Sequence, residues 1–253
     1  MLSSLREAFA ANGPLAQAVG HYHARAQQLE MADAVADAIA AREVLVCEAG
    51  TGTGKTFAYL VPVLLSGRRT IISTGTRHLQ DQLFNRDLPL VRRALGAGAS
   101  IALLKGRANY LCLERLDRAR REPGDLFGAA AGQLERVSHW APRTTTGDIA
   151  GCTGVPETAP IWAQLTSTAE NCAGRECAFY EQCHVMEARR RAAASDVVVV
   201  NHHLLLADMN LREEGFAEVL PAAEAIVFDE AHQLPDLATR FFGGSVSSRQ
   251  LGD

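Results

Sequence analysis

The sequence predicts an α/β protein built on a doubly wound parallel sheet. Two observations carry this. Short apolar runs at residues 44–47, 70–72, 101–104, 197–200 and 225–228 are apolar at consecutive rather than alternating positions. That is the pattern of parallel strands covered on both faces. Between the runs lie segments with helical spacing.

The elements follow in order. In QQLEMADAVADAIAAR, Met31, Val35 and Ile39 recur every four residues, which places them on one face of a helix. Residues 44–47 are expected to form the first strand, with Cys47 in the core. CEAGTGTGKTFAYL, at 47–60, then reads as strand, Gly-rich loop and helix. After the runs at 70–72 and 101–104 the rhythm breaks. The stretch 105–195 is punctuated by Gly and Pro and has no strong strand run, and its 12 basic and 11 acidic residues nearly balance. It reads as an insertion with its own small core, and the sheet resumes at Asp196. The expected organisation is therefore 1–104 as the first part of the sheet domain, 105–195 as the insertion and 196–240 as the return. Residues 241–253 open a further segment.

Composition bounds the rest. A chain of 253 residues with 47% hydrophobic and 21% charged residues is ordinary for a globular protein. A net charge of −4 excludes a generally basic nucleic-acid wrapper but leaves room for a local basic patch. No apolar run approaches the ~18 residues of a membrane helix. The best, 58–65, contains Pro62. The N-terminus has no apolar stretch of signal-peptide type, so a soluble, cytoplasmic protein is expected. There, six cysteines are not expected as disulfides. The chain keeps two lysines, Lys55 and Lys105, against 23 arginines, so each lysine invites a reason.

Lys55 has one. Gly50, Gly52 and Gly54 allow positive φ and close backbone approach, so the N–H groups of Gly50, Thr51, Gly52, Thr53 and Gly54 would line a phosphate cradle. The helix N-terminus adds partial positive charge at the same place. Lys55 would reach the β- and γ-phosphates of ATP as a compact charge, and the Thr56 hydroxyl would ligate Mg²⁺. An Arg fork would be too bulky there. Ala49 stands where the general loop pattern has its first Gly. A second motif agrees: the run at 225–228 ends in Asp229-Glu230-Ala231-His232, and ligands bind at the C-terminal ends of parallel strands. Asp229 is expected to hold the metal, and Glu230 to orient or deprotonate the attacking water. Lys55, Asp229 and Glu230 are thus the candidate catalytic residues.

Cys172, Cys177 and Cys183 lie close together in a polar loop. Three thiolates there would repel one another without a cation, so a metal is the economical reading. Cys112 is the preferred fourth ligand, with Cys152 the alternative. Four thiolates suit Zn²⁺ or an iron–sulfur cluster, and the wide gaps favour the larger [4Fe–4S] cube. His184 reads as a surface residue. Arg115, Arg118 and Arg121, spaced three apart, fall along one side of a helix. Arg189, Arg190 and Arg191 form a second basic cluster. Both flank proposed cluster ligands and are candidate contacts to single-stranded DNA, with Tyr110, Phe179 and Tyr180 as stacking partners.

Together these motifs resemble the iron–sulfur superfamily 2 DNA helicases of the XPD/DinG group, and within it the bacterial YoaA subgroup. The resemblance runs over essentially the whole chain. RAQQLEM at 25–31 is similar to the adenine-side Q motif, which implies Arg25 and Gln28 on the nucleotide, with Gln28 reading the base. EAGTGTGKT is similar to motif I, where Ala49 is usual. STGTRHLQDQL at 73–83 is similar to motif Ia, KGRANYLC carries the first cluster ligand, and VVVVNHHLLLAD and DEAH complete the match. The resemblance implies a RecA-like parallel sheet with an inserted, mainly helical domain whose [4Fe–4S] cluster is held by Cys112, Cys172, Cys177 and Cys183. It implies ATP and Mg²⁺ as ligands, single-stranded or forked DNA as partner, and 5′ to 3′ unwinding in repair or replication, with a protein partner there left open. The second RecA-like domain with its arginine finger, and the SAT-type motif, are missing. The expectation is therefore an N-terminal fragment that binds ATP weakly and does not unwind DNA alone. The alternative is a non-unwinding, redox-sensing DNA-binding module.

Overall fold

In the computed structural model, which describes residues 2–20, 22–50, 52–121, 130–213 and 219–243, four of the apolar runs become strands: β1 (Thr70–Thr74), β2 (Ile101–Leu103), β3 (Val197–Asn201) and β4 (Ala225–Phe228). They form one sheet in the order β2-β3-β1-β4, and every pairing is parallel. The helices in chain order are α1 (Leu2–Ala8), α2 (Pro14–Ala18), α3 (Ala26–Ala41), α4 (Lys55–Ser66), α5 (Arg77–Gln82), α6 (Leu88–Leu95), α7 (Leu113–Arg121), α8 (Ala131–Trp140), α9 (Trp162–Leu165), α10 (His184–Ala193), α11 (His202–Glu213) and α12 (Leu234–Phe242). None is long and apolar enough to cross a membrane. Thr51 and residues 244–253 of the proposed terminal segment lie outside the described residues.

The chain divides into two units, one holding residues up to Leu103 and from Ala194 onward, the other holding Leu104–Ala193. In the first, β1 is buried along its whole length, as a central parallel strand must be. α4 is buried at every position from Ala58 to Leu64, because its sequence is apolar all round rather than on one stripe. Each such Leu or Val side chain stabilises the fold by about 1.5–3 kcal/mol over its exposed state. Met31, Val35 and Ile39 of α3 pack against the same core. α4 stops at Gly67, which takes the left-handed conformation (φ 64°) that glycine adopts without a Cβ penalty.

One expected strand is absent. Residues 44–47 join no strand, Val44 and Val46 are 95% and 93% exposed, and Cys47 is exposed rather than in the core. A parallel strand needs a hydrogen-bonded neighbour, and among the described residues β4 pairs only with β1. That leaves the sheet open on the β4 side, where Ile226 and Phe228 are also exposed.

The second unit has its own core of Leu111, Leu116, Val137, Ile149, Trp162 and Leu165. Trp140 and Trp162 meet edge to face at 6.3 Å, the arrangement favoured by aromatic quadrupoles. Its opening stretch is tied down by main-chain bonds from Leu111 N–H to Gly147 O and from Cys112 N–H to Leu165 O, each 2.8 Å.

A candidate nucleotide site at the end of the sheet

The phosphate-loop candidate precedes α4. Gly52 and Gly54 hold positive φ of 78° and 83°. Gly50 does not, and nothing crowds the space beside it. The Thr53 hydroxyl donates to Gly50 O at 2.9 Å and closes the turn from inside. Gln28 is buried, and its amide donates to Gly54 O at 3.0 Å. Its side-chain nitrogen thus braces the loop from α3. Arg25 is exposed in the turn before α3. Ala49, Lys55 and Thr56 are half-buried.

The acidic pair lies just past β4. Asp229 N–H donates to Ser73 O at 2.8 Å, which carries the β1–β4 ladder one residue beyond the strand. Glu230 sits in the left-handed region, φ 57° and ψ 42°, a conformation that strains a residue with a Cβ and persists where the surroundings over-determine it. Its carboxylate is 3.4 Å from His232 Nδ1. Burial, and then the adjacent Glu230 charge, raise the Asp229 carboxyl above its ordinary range, while Tyr59 and Lys55 draw it partly back. Lys55 of α4 is thus near enough to act on the Asp229 carboxyl.

The donors there suit a divalent cation. The Tyr59 hydroxyl is buried and faces both the Thr56 hydroxyl and the Asp229 carboxylate. A hydroxyl and a carboxylate beside an under-compensated acid pair are oxygen donors that a hydrated Mg²⁺ would satisfy. Tyr59 itself was not a sequence candidate. It lies one helical turn past Thr56, a spacing that would have signalled it.

The cysteines are a different matter. All six are free, and Cys112, Cys172, Cys177 and Cys183 are half-buried in the second unit. Burial pushes the Cys112 thiol up, and Cys177 lies near enough to add to that. Cys172 Sγ accepts from Arg107 Nη1 at 3.0 Å and from Gly174 N–H at 3.4 Å. Even so, among the described residues no three His, Cys, Asp or Glu side chains are gathered as a metal site. The donor chemistry suits an iron–sulfur group, but a closed four-thiolate arrangement is not formed. Cys152 is buried in the core of this unit and is not available as an alternative ligand.

The aromatic and basic candidates are mostly spoken for. Tyr110 is 3% exposed, and its hydroxyl accepts from Lys105 N–H, so it cannot stack on a base. Arg115 donates to Gln164 O at 2.6 Å and Ala163 O at 3.4 Å, where it caps the C-terminal end of α9. Arg118 pairs with Glu114 at 2.5 Å and Arg121 with Asp117 at 2.7 Å, both one helical turn away. Arg190 and Arg191 share Glu187, and Arg189 is engaged as well. His184 is half-buried rather than fully at the surface: its Nε2 is buried and unpartnered, and its ring lies against Gly147.

A profile described as DEAD/DEAH box helicase matches residues 27–136. The chain therefore carries a stretch of 110 residues similar to the DEAD/DEAH box helicases. It is 54% identical over 247 residues to the ATP-dependent DNA helicase YoaA of Haemophilus influenzae, covering 97% of this chain and 38% of that protein. It is 50% identical over 245 residues to the ATP-dependent DNA helicase YoaA of Escherichia coli, with the same coverage of 97% and 38%. To the ATP-dependent helicase DinG of Mycobacterium tuberculosis it is 38% identical over 258 residues, covering 93% of this chain and 38% of the relative. The chain thus spans well under half the length of these relatives.

Proposed function

We propose that this chain is the N-terminal motor portion of an ATP-dependent DNA helicase that couples ATP hydrolysis to 5′ to 3′ movement along single-stranded DNA. The reading is supported by the Gly-rich turn and Lys55 that open α4, by Asp229 and Glu230 just past β4, and by the pull of Lys55 on the Asp229 carboxyl. Such a site belongs to phosphoryl transfer, in which catalysis is mainly positioning and charge stabilisation. Lys55 draws on the β- and γ-phosphate oxygens, while main-chain amides from Gly50 to Gly54 surround the phosphates. Gln28 fixes the loop through Gly54 O, and Arg25 lies on the adenine side. Glu230 orients the attacking water and takes its proton. Thr56 and Asp229 would hold Mg²⁺, which when bound neutralises charge on the phosphates.

In the second unit the four cysteines would hold a [4Fe–4S] cluster, whose contribution when bound is to cross-link the unit and supply a redox centre. Support comes from the approach of Cys112 to Cys177 and from the N–H groups around Cys172. Arg118, Arg121, Arg190 and Arg191 would exchange their acidic partners for DNA phosphates, with Arg189 beside them, because exposed ion pairs hold such side chains by only ~0.2–1 kcal/mol each. The deciding experiment is ATP hydrolysis by the longer protein carrying this chain, with and without single-stranded DNA. Hydrolysis stimulated by DNA and abolished by Lys55→Ala and Glu230→Gln is expected; turnover unaffected by both substitutions would refute the motor reading.

A further inference from the structure

The Ser73 hydroxyl and His202 Nδ1 lie 2.7 Å apart, both residues fully buried. Ser73 ends the part of β1 that pairs with β4, opposite Phe228. His202 opens α11 directly after β3, and its ring lies 6.2 Å from that of Phe228. In a neutral ring the Ser73 hydroxyl satisfies Nδ1 by donating to it, which leaves the ring proton on Nε2. Nε2 is buried and makes no hydrogen bond of full geometry, while main-chain acceptors of Asp229 and Glu230 lie near enough to the ring to favour its proton. A buried donor so poorly paired is costly and calls for an explanation. It faces the one turn in which a candidate catalytic residue, Glu230, holds a left-handed backbone.

A second contact joins the same two segments. Asp229 N–H is bonded to Ser73 O, and two residues on, Gly75 packs so closely on the Gln233 carboxamide that a Cβ there would overlap it. The Ser73–Thr76 stretch and the Asp229–Gln233 turn therefore touch at the main chain, through the imidazole and through Gly75.

We propose that His202 is a positioning residue for ATP hydrolysis: anchored by Ser73, its Nε2–H takes a main-chain carbonyl of the Asp229–Glu230 turn as partner when nucleotide is bound, and so sets the Glu230 carboxylate for its water. Movement of the Ser73–Thr76 stretch would then reach the water-orienting residue through one ring. This rests on the motor reading above, and the test separates the two.

The experiment uses the longer protein. His202→Phe keeps a ring of similar size but no hydrogen bond. It is expected to lower kcat for ATP hydrolysis about tenfold while KM for ATP stays within about twofold. His202→Gln carries an N–H to the position of Nε2 and restores most of kcat. His202→Asn carries an amide only as far as Nδ1 and does not. A loss of packing alone would not sort the two amides in this way. Parental kcat in His202→Phe, or equal recovery by Asn and Gln, overturns the proposal. If His202→Phe fails to fold, Ser73→Ala decides, with a lower kcat at unchanged KM in support and parental kcat against. A parent protein that hydrolyses no ATP overturns the motor reading and this proposal with it, whereas a DNA-stimulated parent with indifferent variants overturns the His202 role alone.

Discussion

Lys105 Nζ lies 2.8 Å from Asp148 Oδ2, with 1% of the lysine side chain exposed. Beside this pair, Tyr110 bridges to Asp148 in an isolated antiparallel contact, and the Tyr110 hydroxyl accepts from Lys105 N–H at 3.0 Å. The ion pair thus pins the first residues of the second unit to the turn at 147–148. Burying two charges is costly, and removing one partner leaves the other uncompensated. Lys105→Met or Asp148→Leu alone should therefore destabilise the chain by about 3–5 kcal/mol. The double substitution should recover much of that loss. Urea unfolding of the four proteins closes the cycle, and additive losses would show that the two side chains do not act as a pair.

Gly54→Ala tests the phosphate loop. The position has φ +83°, and an added Cβ would meet the Gln28 amide. Left-handed backbone costs an L-residue about 1–2 kcal/mol, so a loss of ATP affinity of roughly tenfold or more is expected. Gln28→Ala should relieve the collision but not the backbone strain, making the double variant better than the sum of the singles. Titration with a fluorescent ATP analogue reads both effects.

Acid stability reports on Asp196. Its carboxylate accepts from Ser100 Oγ and Ser100 N–H, each 2.7 Å, joining the starts of β3 and β2. These bonds, the side-chain one first, lower its pKa in the folded protein. A carboxyl held below its unfolded value adds stability that is fully present above the unfolded pKa and is lost as pH falls through the folded one. Asp196→Asn should thus lower the thermal midpoint near neutrality and flatten its fall through the acid range, so that parent and variant converge at low pH. A parent and variant with parallel pH profiles would contradict this.

The arginines of α7 should separate by role. Arg115 holds two carbonyls of the α9 end, so Arg115→Ala is expected to cost about 1.5–3 kcal/mol of stability, as for charged hydrogen bonds. Arg118 and Arg121 make exposed pairs within one helix. Their replacement by Gln should change stability by less than about 0.5 kcal/mol each, while reducing the salt dependence of single-strand binding. Unchanged salt dependence would remove both residues from the DNA surface.

Much of the site was legible because it is local. Glycines at 52 and 54, the Lys-Thr that opens α4 and the acids after an apolar run are near neighbours in the chain, and turn and helix-start chemistry acts over a few residues. The same holds for the strands, of which β1 and β3 bury their consecutive Val and Ile residues while β4 keeps Ile226 and Phe228 exposed. By itself, then, the sequence determined a phosphate-loop α/β protein with its acids at the strand ends. Only the tertiary structure decided how groups far apart in the chain are paired. Residues 44–47 have the composition of a strand, but composition does not supply a neighbour. Arg115 and Tyr110 have the composition of a nucleic-acid surface, but their polar atoms meet carbonyls and amides of the protein first. Ser73 and His202 are unremarkable in the chain, and become a buried pair because β1 and β3 run parallel and end side by side. Period and composition follow from local sterics and hydration, whereas partner choice depends on which distant surfaces the folded chain brings within hydrogen-bond reach.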